Sequence, residues 1–231
     1  MKFVSVIPAR GGSKGLKKKN LALLNNKPLI EYTIEAAIKS NNINKIIISS
    51  ENDEILDITS KYTSKNVWNI KRPLKLAGDT ISIIDVLIHL FETIDYLKNH
   101  QIDVVVLQPT SPLRTKKDID NAINIYKKGN CESLISVTEA DHPPQWNLMI
   151  QNGNLKPFMD KKYLNLRRQE LIKTYRPNGA IFIANKHTIS TNRSFYTEPM
   201  MPYIMPNERS IDIDDEFDLK LAECILRMGN E

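Results

Sequence analysis

The sequence predicts an α/β fold in which helices cover both faces of an open, mostly parallel sheet. Short apolar runs alternate with amphipathic segments along the chain, and this alternation is typical of βαβ units. The chain has 231 residues, of which 41% are hydrophobic, enough to bury a core in one domain. We therefore expect a single α/β domain over residues 1–231.

The strands are predicted where a short apolar run is bounded by polar or turn-forming residues. These runs are Phe3 to Ile7, Lys45 to Ser49, Val67 to Ile70, Val104 to Leu107, Leu134 to Val137 and Ala180 to Ile183.

Helices are predicted where apolar residues recur at helical spacing, with the apolar stripe facing the core. The stripes are Ile84, Leu87, Ile88, Phe91 and Ile94, then Ile119, Ala122, Ile123 and Tyr126, and finally Phe217, Leu221, Ile225 and Met228. Asp215 is predicted to be the N-cap of the last helix, and the stretch from Thr115 to Asp118 is expected to begin the helix before it.

One segment, from Ala140 to Pro177, lacks clear periodicity. It contains Pro143-Pro144, Asn152-Gly153-Asn154 and Arg167-Arg168. A stretch longer than about 15 residues without regular structure is usually functional, disordered or an interaction arm, although a plain surface loop is the alternative. We treat 140–175 as a segment inserted into the single domain.

The amino terminus and the cysteines point to a cytoplasmic protein. The first apolar run ends at Arg10, too early for a signal peptide, and no apolar stretch approaches about 18 residues. Cys131 is expected near a helix end and Cys224 on the apolar face of a helix, without the spacing of a metal or redox motif. We expect a soluble, cytoplasmic chain with reduced cysteines and no membrane contact.

The net charge of +5 and pI near 9.0 fit nucleic acid, an anionic surface or a small polyanionic substrate. The distribution favours the last of these, since no basic stripe is interleaved with aromatic residues. Much of the excess lies in one loop, at Arg10, Lys14, Lys17, Lys18 and Lys19.

That loop, Pro8 to Gly15, follows the first predicted strand, and ligands bind at the carboxyl ends of strands in such sheets. Its glycines leave backbone N–H groups free to surround an anion, while Arg10 and Lys14 supply charge. The loop has neither the Walker A order nor the dinucleotide-binding order of glycines. We predict a phosphate-binding loop of another kind.

Asp212 and Asp214 flank Ile213 near the carboxyl terminus. If the segment is extended, both carboxylates project from one face, which suits Mg²⁺ bound together with substrate phosphates. The alternative is a cluster of helix-capping residues, since Asp215 and Glu216 follow directly.

Further motifs occur in order along nearly the whole chain. They are Lys19-Asn20-Leu21, Asn26 to Ile30, Arg72-Pro73, Ala77-Gly78-Asp79-Thr80, Leu107 to Arg114, Tyr175 to Ile181 and Ser210 to Asp214. With the loop after the first strand, they closely resemble the CMP-sialic acid synthetases, also called acylneuraminate cytidylyltransferases. The resemblance implies the Rossmann-like fold of nucleotide-diphosphosugar transferases.

The resemblance also implies a reaction. The anomeric hydroxyl of an N-acylneuraminate-type nonulosonic acid attacks the α-phosphorus of CTP, and pyrophosphate leaves, with Mg²⁺ as cofactor. Catalysis is then largely positioning and charge stabilisation. The residues implied are Arg10, Lys14, Lys19, Asp212 and Asp214, with the two aspartates holding the metal. The acceptor of the hydroxyl proton stays open between metal-bound water, metal coordination and a lysine.

The substrate-binding residues are likewise implied by the resemblance. For the nucleotide they are Pro8, Ala9, Asn20, Arg72, Asp79 and Ser82, with Ser82 near the ribose. Asp79 and Thr80 have an alternative role as caps of the following helix. For the acidic sugar they are Gln108, Arg168, Arg176, Asn178, Gly179 and Phe182. In related enzymes the inserted segment forms a homodimer, which would place Arg168 in the neighbour's site.

The sugar itself stays open. Gln145 stands where the best-known sialic acid enzymes tend to have a lysine, and Trp146 adds an apolar face. This would suit a less hydroxylated sugar such as legionaminic acid. A CMP-legionaminic acid synthetase is therefore the alternative to a sialic acid enzyme, and CMP-Kdo and pseudaminate enzymes fit the motifs less well.

A protein of another class, binding nucleotide or nucleic acid without catalysis, is the remaining alternative. Such a protein would bind long polyanions with a strong dependence on salt concentration. Its binding would not require Asp212 and Asp214. The histidines offer no rival chemistry, since none lies in a motif. They are His89, His100, His142 and His187.

Overall fold

A seven-stranded sheet forms the framework of the molecule, and two small two-stranded sheets lie outside it. The structure is a computed structural model that describes residues 1–229. Its strands are β1 (Phe3–Pro8), β2 (Leu23–Leu24), β3 (Lys27–Pro28), β4 (Ile43–Ser50), β5 (Val67–Lys71), β6 (Asp103–Val106), β7 (Ser133–Glu139), β8 (Leu148–Gln151), β9 (Asn154–Pro157), β10 (Tyr175–Asn185) and β11 (Met200–Ile204).

The helices lie between these strands and after the last of them. They are α1 (Leu29–Lys39), α2 (Asp53–Ser60), α3 (Ile83–Thr93), α4 (Asp95–Asn99), α5 (Lys116–Lys128), α6 (Lys186–Asn192) and α7 (Glu216–Met228). Single 3-10 turns occur at Lys19–Leu21, Thr63–Lys65, Leu74–Leu76, Pro144–Trp146, Lys161–Asn165, Arg168–Glu170 and Asn207–Arg209.

The strand order across the large sheet is β11-β7-β10-β6-β1-β4-β5. Neighbouring strands are parallel except at β10, which is antiparallel to both β6 and β7. The predicted mostly parallel sheet is confirmed, and all the predicted strands are present. The sequence pattern misses β11, because this strand is mostly exposed and contains Pro202, so it lacks the apolar run of a buried strand.

Helices cover both faces of the sheet, as predicted. On one face, Phe3 and Ile7 of β1 pack with residues of α1 and α5, including Ile34 and Ile123. On the other face, the alternate β1 residues contact α3 through residues such as Leu87. The alternation along β1 therefore divides the core into two layers, because successive side chains of a strand point to opposite faces.

The last helix begins as predicted but buries a different face. Asp215 caps it by accepting hydrogen bonds from the N–H groups of Phe217 and Asp218. The predicted stripe is wrong in part, since Phe217 and Met228 are 74% and 76% exposed.

The buried side of α7 is instead turned towards the short strand β2 and the loop before the helix. Its apolar contacts come from Leu219, Ala222, Ile225 and Leu226. Both faces of this helix carry apolar residues at helical spacing, so the sequence pattern alone does not select one. Cys224 is exposed, which corrects its expected place on the apolar face, and both cysteines are free as predicted.

The segment from Ala140 to Thr174 leaves the large sheet and returns to it. The N–H of Ala140 donates to the carbonyl of Thr174, 3.0 Å away. Between them, β8 and β9 form a hairpin whose turn residues, Asn152 and Gly153, have positive φ angles of 52° and 76°. Many apolar side chains of this segment are exposed, namely Leu148, Met149, Ile150, Leu155, Phe158, Met159 and Ile172.

A buried carboxylate ties α5 to the chain before α7. Asp118 is 1% exposed and accepts hydrogen bonds from Arg209 Nη2 at 2.9 Å and from the Tyr203 hydroxyl at 2.9 Å. Burial acts to raise the pKa of Asp118, but the hydrogen bonds from Arg209 and Thr115 outweigh it and lower the pKa. Asp118 is therefore held ionised inside the fold.

No helix within residues 1–229 is long and apolar enough to span a membrane.

Replacing Arg209 with Met should lower the free energy of unfolding by about 2 kcal/mol, because it leaves the carboxylate of Asp118 buried without its cation. Arg193→Met removes the matching but exposed pair with Asp85 and should cost less than about 1 kcal/mol. Urea unfolding of both variants measures the difference. Equal losses of unfolding free energy in the two variants would contradict a stabilising role for the pair between Arg209 and the buried Asp118.

Candidate active site

A cleft of about 330 Å³ opens at the carboxyl ends of the central strands. Its walls come from the loop after β1, the segment between β5 and α3, the loop after β6 and the chain before α7. Ligands bind at this edge in open α/β sheets. The predicted site residues that line it are Pro8, Arg10, Lys19, Asn20, Arg72, Asp79, Ser82, Gln108, Asp212 and Asp214.

The loop after β1 is held in shape by its own polar groups. Asn20 is buried and its side-chain amide donates to the carbonyl of Arg10 at 2.8 Å, while the Ser13 hydroxyl accepts from the N–H of Lys19 at 3.1 Å. At Gly15, a Cβ atom would lie 2.3 Å from the carbonyl oxygen of Asp214. Glycine at this position therefore lets the loop approach the segment that carries Asp212 and Asp214.

The predicted cations meet carboxylates of the chain itself. Arg10 pairs with Asp79, Lys14 lies 3.2 Å from the same carboxylate, and Lys19 lies 2.8 Å from Asp214. Hydrogen bonds from Arg10, and then from Lys14, lower the pKa of Asp79. Positive charge is thus gathered at the cleft and is partly neutralised by acids that an anionic ligand would have to displace.

The suggested capping role of Asp79 and Thr80 is wrong for this chain. The N-cap of α3 is Ser82, whose hydroxyl accepts from the N–H of Asp85 at 3.2 Å and donates to its carboxylate at 2.8 Å. Ser82 lines the cleft, and its hydroxyl already takes part in this capping box.

The two aspartates suit a hard cation. Ile213 between them is fully buried, and both carboxylates lie on the cleft side. One carboxylate oxygen of Asp212, Oδ1, is buried and has no hydrogen-bond partner. Burial raises the pKa of Asp212 most, a hydrogen bond from the Thr110 side chain acts to lower it, and the nearby charge of Asp214 raises it further. An unpartnered buried oxygen is a ligand that a cation would satisfy.

The set of ligands is small. Within residues 1–229, no group of at least three His, Cys, Asp or Glu side chains could hold a metal ion. Two carboxylates fit an ion such as Mg²⁺, which commonly takes one or two carboxylates and completes its shell with waters and substrate phosphates. The capping alternative applies to Asp215, since Asp214 pairs with Lys19 instead.

Arg72 lines the cleft from a largely buried position, and its partner, Glu51, is not among the predicted site residues. The guanidinium donates to Glu51 Oε2 through Nε at 3.1 Å and through Nη2 at 2.9 Å. The other carboxylate oxygen accepts from the N–H of Gly11 at 2.6 Å. The only sequence signal for Glu51 is its place two residues after the predicted strand Lys45 to Ser49.

Gln108 and Gly179 form the wall beside the aspartates. Gly179 has a φ angle of 73°, and a Cβ atom there would lie 2.7 Å from Gln108 Oε1 and 3.2 Å from Asp212 Oδ2. Any larger residue would therefore be strained and would press into the site. The absence of a side chain at Gly179 thus leaves the space that Gln108 and Asp212 occupy beside the cleft.

Of three residues predicted to bind substrate, Ala9 and Asn178 are buried and Phe182 is partly buried against the core. Asn178 is 1% exposed; its side-chain oxygen accepts from Ser136 Oγ at 2.6 Å, and its amide donates to Ser210 Oγ at 2.9 Å. Phe182 packs against Phe195 with ring centroids 5.5 Å apart. The side chain of Ala9 is fully buried. The side chain of Asn178 is therefore engaged within the core, and Ala9 can offer a ligand only its backbone.

Arg168 and Arg176 do not reach the cleft of their own chain. Arg168 lies 3.7 Å from Glu139, and Arg176 lies 3.7 Å from Asp141, both on an exposed surface beside the inserted segment. Arg168 lines a separate depression together with Pro143. The two arginines are thus apart from Asp212 and Asp214 within one chain.

Arg114 fixes the loop after β6, which carries Gln108. It is 2% exposed, and its Nη1 donates to the carbonyls of Gln108 at 3.2 Å, Ser111 at 3.1 Å and Ala180 at 3.3 Å. Burial lowers the pKa of the guanidinium. Its carbonyl contacts join the loop to β10, so that Gln108 and Gly179 keep their separation.

The comparisons with known proteins agree with this geometry. A family model described as cytidylyltransferase matches residues 4–205. The chain is 35% identical to the N-acylneuraminate cytidylyltransferase of Escherichia coli, over 99% of this chain and 53% of that protein. It thus spans about half the length of that relative.

A second relative matches over its whole length, and a solved structure shares the fold. The CMP-N,N'-diacetyllegionaminic acid synthase of Legionella pneumophila is 37% identical, over 100% of this chain and 99% of that protein. The structure of a CMP:2-keto-3-deoxy-manno-octonic acid synthetase complexed with CTP superposes with a TM-score of 0.71 at 13% identity, covering 99% of this chain and 100% of that one. The predicted Rossmann-like fold is confirmed.

Asp79→Asn should strengthen the binding of inorganic pyrophosphate, because it removes the carboxylate that competes for Arg10 and Lys14. Since exposed ion pairs are weak, we expect the dissociation constant to fall by up to about fivefold. Isothermal titration calorimetry measures it. Asp53→Asn, which breaks the exposed pair with Lys71, is the matched control and should change nothing. Weaker binding by the Asp79 variant would mean that its carboxylate holds Arg10 in place for the ligand.

Proposed function

Because the chain belongs to the cytidylyltransferase family, we propose that it transfers CMP from CTP to a nonulosonic acid of the N-acylneuraminate type and releases pyrophosphate. The observation that carries this proposal is the meeting of the basic loop after β1 with Asp212, whose buried Oδ1 has no hydrogen-bond partner. One cleft thus offers cations for a triphosphate and carboxylates for its metal.

The triphosphate is proposed to lie along the loop after β1. Its charge of about −4 exceeds what one divalent ion neutralises, so Arg10, Lys14 and Lys19 complete the compensation. Lys19 lies between the loop and Asp214. A Mg²⁺ ion held by Asp212 and Asp214 would supply the remaining positive charge beside the phosphates.

The base is proposed to lie between the backbone of Pro8 to Arg10 and the guanidinium of Arg72. Cytosine differs from uracil in its hydrogen-bonding edge, so fixed donors and acceptors leave one group unpaired with the wrong base. Such a mismatch typically costs about 1–3 kcal/mol. The buried position of Arg72, 5% exposed, makes it a fixed donor.

In the proposed reaction, the anomeric hydroxyl oxygen forms a bond to the α-phosphorus. The bond from that phosphorus to the oxygen that bridges the α- and β-phosphates breaks, and pyrophosphate leaves with the electron pair, while the hydroxyl proton passes to a base at the site and from there to water. The chain contributes positioning and charge, and no covalent enzyme intermediate is needed. Gln108 and the backbone beside Gly179 would contact the sugar next to Asp212.

A second candidate sugar, legionaminic acid, is favoured by the inserted segment. Gln145 is 7% exposed, and its Oε1 has no hydrogen-bond partner; the same is true of the buried Nε1 of Trp146. The neutral Gln145 and the apolar face of Trp146 suit a less hydroxylated sugar with an additional acylamino group, which supplies one more donor and acceptor than N-acetylneuraminate does. The Legionella pneumophila relative, whose name includes diacetyllegionaminic acid, supports this alternative.

We further propose that the chain acts as a homodimer through the inserted segment, with Arg168 working in the neighbour's cleft. The exposed apolar residues of the segment, such as Ile150 and Ile172, at 77% and 81% exposure, are those that association would bury. Arg168 lies outside the cleft of its own chain. Its planar fork is suited to the carboxylate of the sugar.

The central experiment measures pyrophosphate release with CTP and Mg²⁺, offering N-acetylneuraminate and legionaminate in parallel. We expect release that requires CTP and metal, with the ratio of kcat/KM values naming the sugar. Asp214→Ala should lose nearly all release, because the metal loses a ligand. Glu216→Ala, an exposed acid two residues later, is the matched control and should retain the wild-type rate.

UTP and a metal-free reaction complete the controls. Equal release with UTP would contradict the cytidylyl specificity, and no release with either sugar would remove the proposed acceptors. Full activity of the Asp214→Ala chain would remove that residue from the metal site.

Mixing an Arg168→Ala chain with an Asp214→Ala chain tests the proposed trans arginine. If Arg168 acts on the neighbour, each mixed dimer contains one intact cleft, so about a quarter of wild-type activity should return for random association of equal amounts. The measurement is pyrophosphate release after refolding the mixture. Dimers that form without regaining activity would contradict a role for Arg168 in the neighbour's cleft.

A further inference from the structure

The carboxylate of Glu51 joins two walls of the cleft that come from different parts of the chain. It follows directly after β4, and its side chain is 9% exposed, while that of Arg72 is 4% exposed. One oxygen accepts from the N–H of Gly11 in the loop after β1. The other accepts from Arg72, which follows β5.

This arrangement orients the guanidinium of Arg72. Glu51 engages Nε and Nη2, and the main-chain N–H of Arg72 is held by the carbonyl of Ser50 at 2.9 Å. Nη1 donates to none of the residues in 1–229, and Arg72 lines the cleft. Nη1 is therefore free to donate to a ligand. Its direction is set because the Nε and Nη2 edge of the same guanidinium is paired with Glu51.

The same carboxylate also sets the loop that receives the phosphates. An ionised acceptor at 2.6 Å from the N–H of Gly11 fixes that peptide unit. A Cβ atom on Gly11 would lie 2.5 Å from Asn52 Nδ2, so the loop here is packed closely against the residues after β4. Glu51 thus connects the loop after β1 and Arg72 through one rigid group.

We propose that Glu51 is a positioning residue for the nucleotide, which sets Arg72 and the loop after β1 at a fixed separation. Arg72 then donates to the base and the loop after β1 donates to the phosphates of the same nucleotide. The buried carboxylate of Glu51 sets the distance between these two groups of donors. The inference rests on the proposed function for the identity of the nucleotide, CTP. Glu51 is placed to act through its neighbours, because its two oxygens accept hydrogen bonds from Gly11 and Arg72.

Glu51→Gln tests the proposal with little change in size. An amide offers one acceptor and one donor, so it cannot satisfy both Gly11 and Arg72, which are donors. We expect the dissociation constant for CTP, measured by calorimetry without sugar, to rise about ten- to a hundredfold. The preference for CTP over UTP should fall as well, while kcat at saturating CTP changes by less than about threefold.

Glu54→Gln is the matched control, since it makes the same chemical change three residues later at an exposed pair with Lys18. It should leave CTP binding unchanged. Glu51→Asp is the second variant: it keeps the charge but is one methylene shorter, and should lose part of the CTP affinity while retaining more stability than Glu51→Gln. A thermal melt of each variant reports whether it is folded.

A double-mutant cycle separates positioning from simple support of the fold. If Glu51 acts through Arg72, the losses of CTP affinity in Glu51→Gln and Arg72→Gln should not add in the double variant. Additive losses, or a lower melting temperature with unchanged CTP affinity and CTP preference, would overturn the proposal. Failure of the proposed function would appear separately, as a wild-type chain that binds CTP but releases no pyrophosphate with the sugars.

Discussion

Cations gathered in one cleft repel each other, and the rest of this site depends on the acids that hold them there. Arg10 and Lys14 share Asp79, Lys19 pairs with Asp214, and Arg72 pairs with Glu51. The exposed pairs can be exchanged for a triphosphate at small cost, because water screens them. The buried pair cannot, because either partner left alone would be an unsolvated charge. The exposed ion pairs of the site are therefore exchangeable, whereas the buried pair of Arg72 and Glu51 is fixed.

The fold places these groups by bringing several strand ends to one edge of the sheet. β1, β4, β5 and β6 are parallel neighbours, so the loops that follow them open on the same side. The segment with Asp212 and Asp214 is attached to the same edge by the hydrogen bond from the N–H of Ile213 to the carbonyl of Thr110, at 2.8 Å. Packing of Ile213 then leaves the carboxylates facing the loop.

A single chain forms the proposed nucleotide side of the site more completely than the proposed sugar side. The loop after β1 is closed by internal hydrogen bonds, whereas Arg168 and Arg176 stand apart and Gln145 and Trp146 retain unpaired buried atoms. Association through the inserted segment is our proposal for how the sugar side is completed. It agrees with the general rule that unpaired buried polar groups mark a missing partner or ligand.

The sequence by itself determined the α/β class, all the strands with strong apolar runs, the basic loop after β1 and the paired aspartates, because each depends on local spacing. Only the tertiary structure decided which face of α7 is buried, that Asn178 belongs to the core, and that Glu51 meets both Gly11 and Arg72. Those outcomes depend on which distant segments pack together. Glu51 and Arg72 are 21 residues apart, so no local sequence pattern predicts that their side chains form a hydrogen-bonded ion pair.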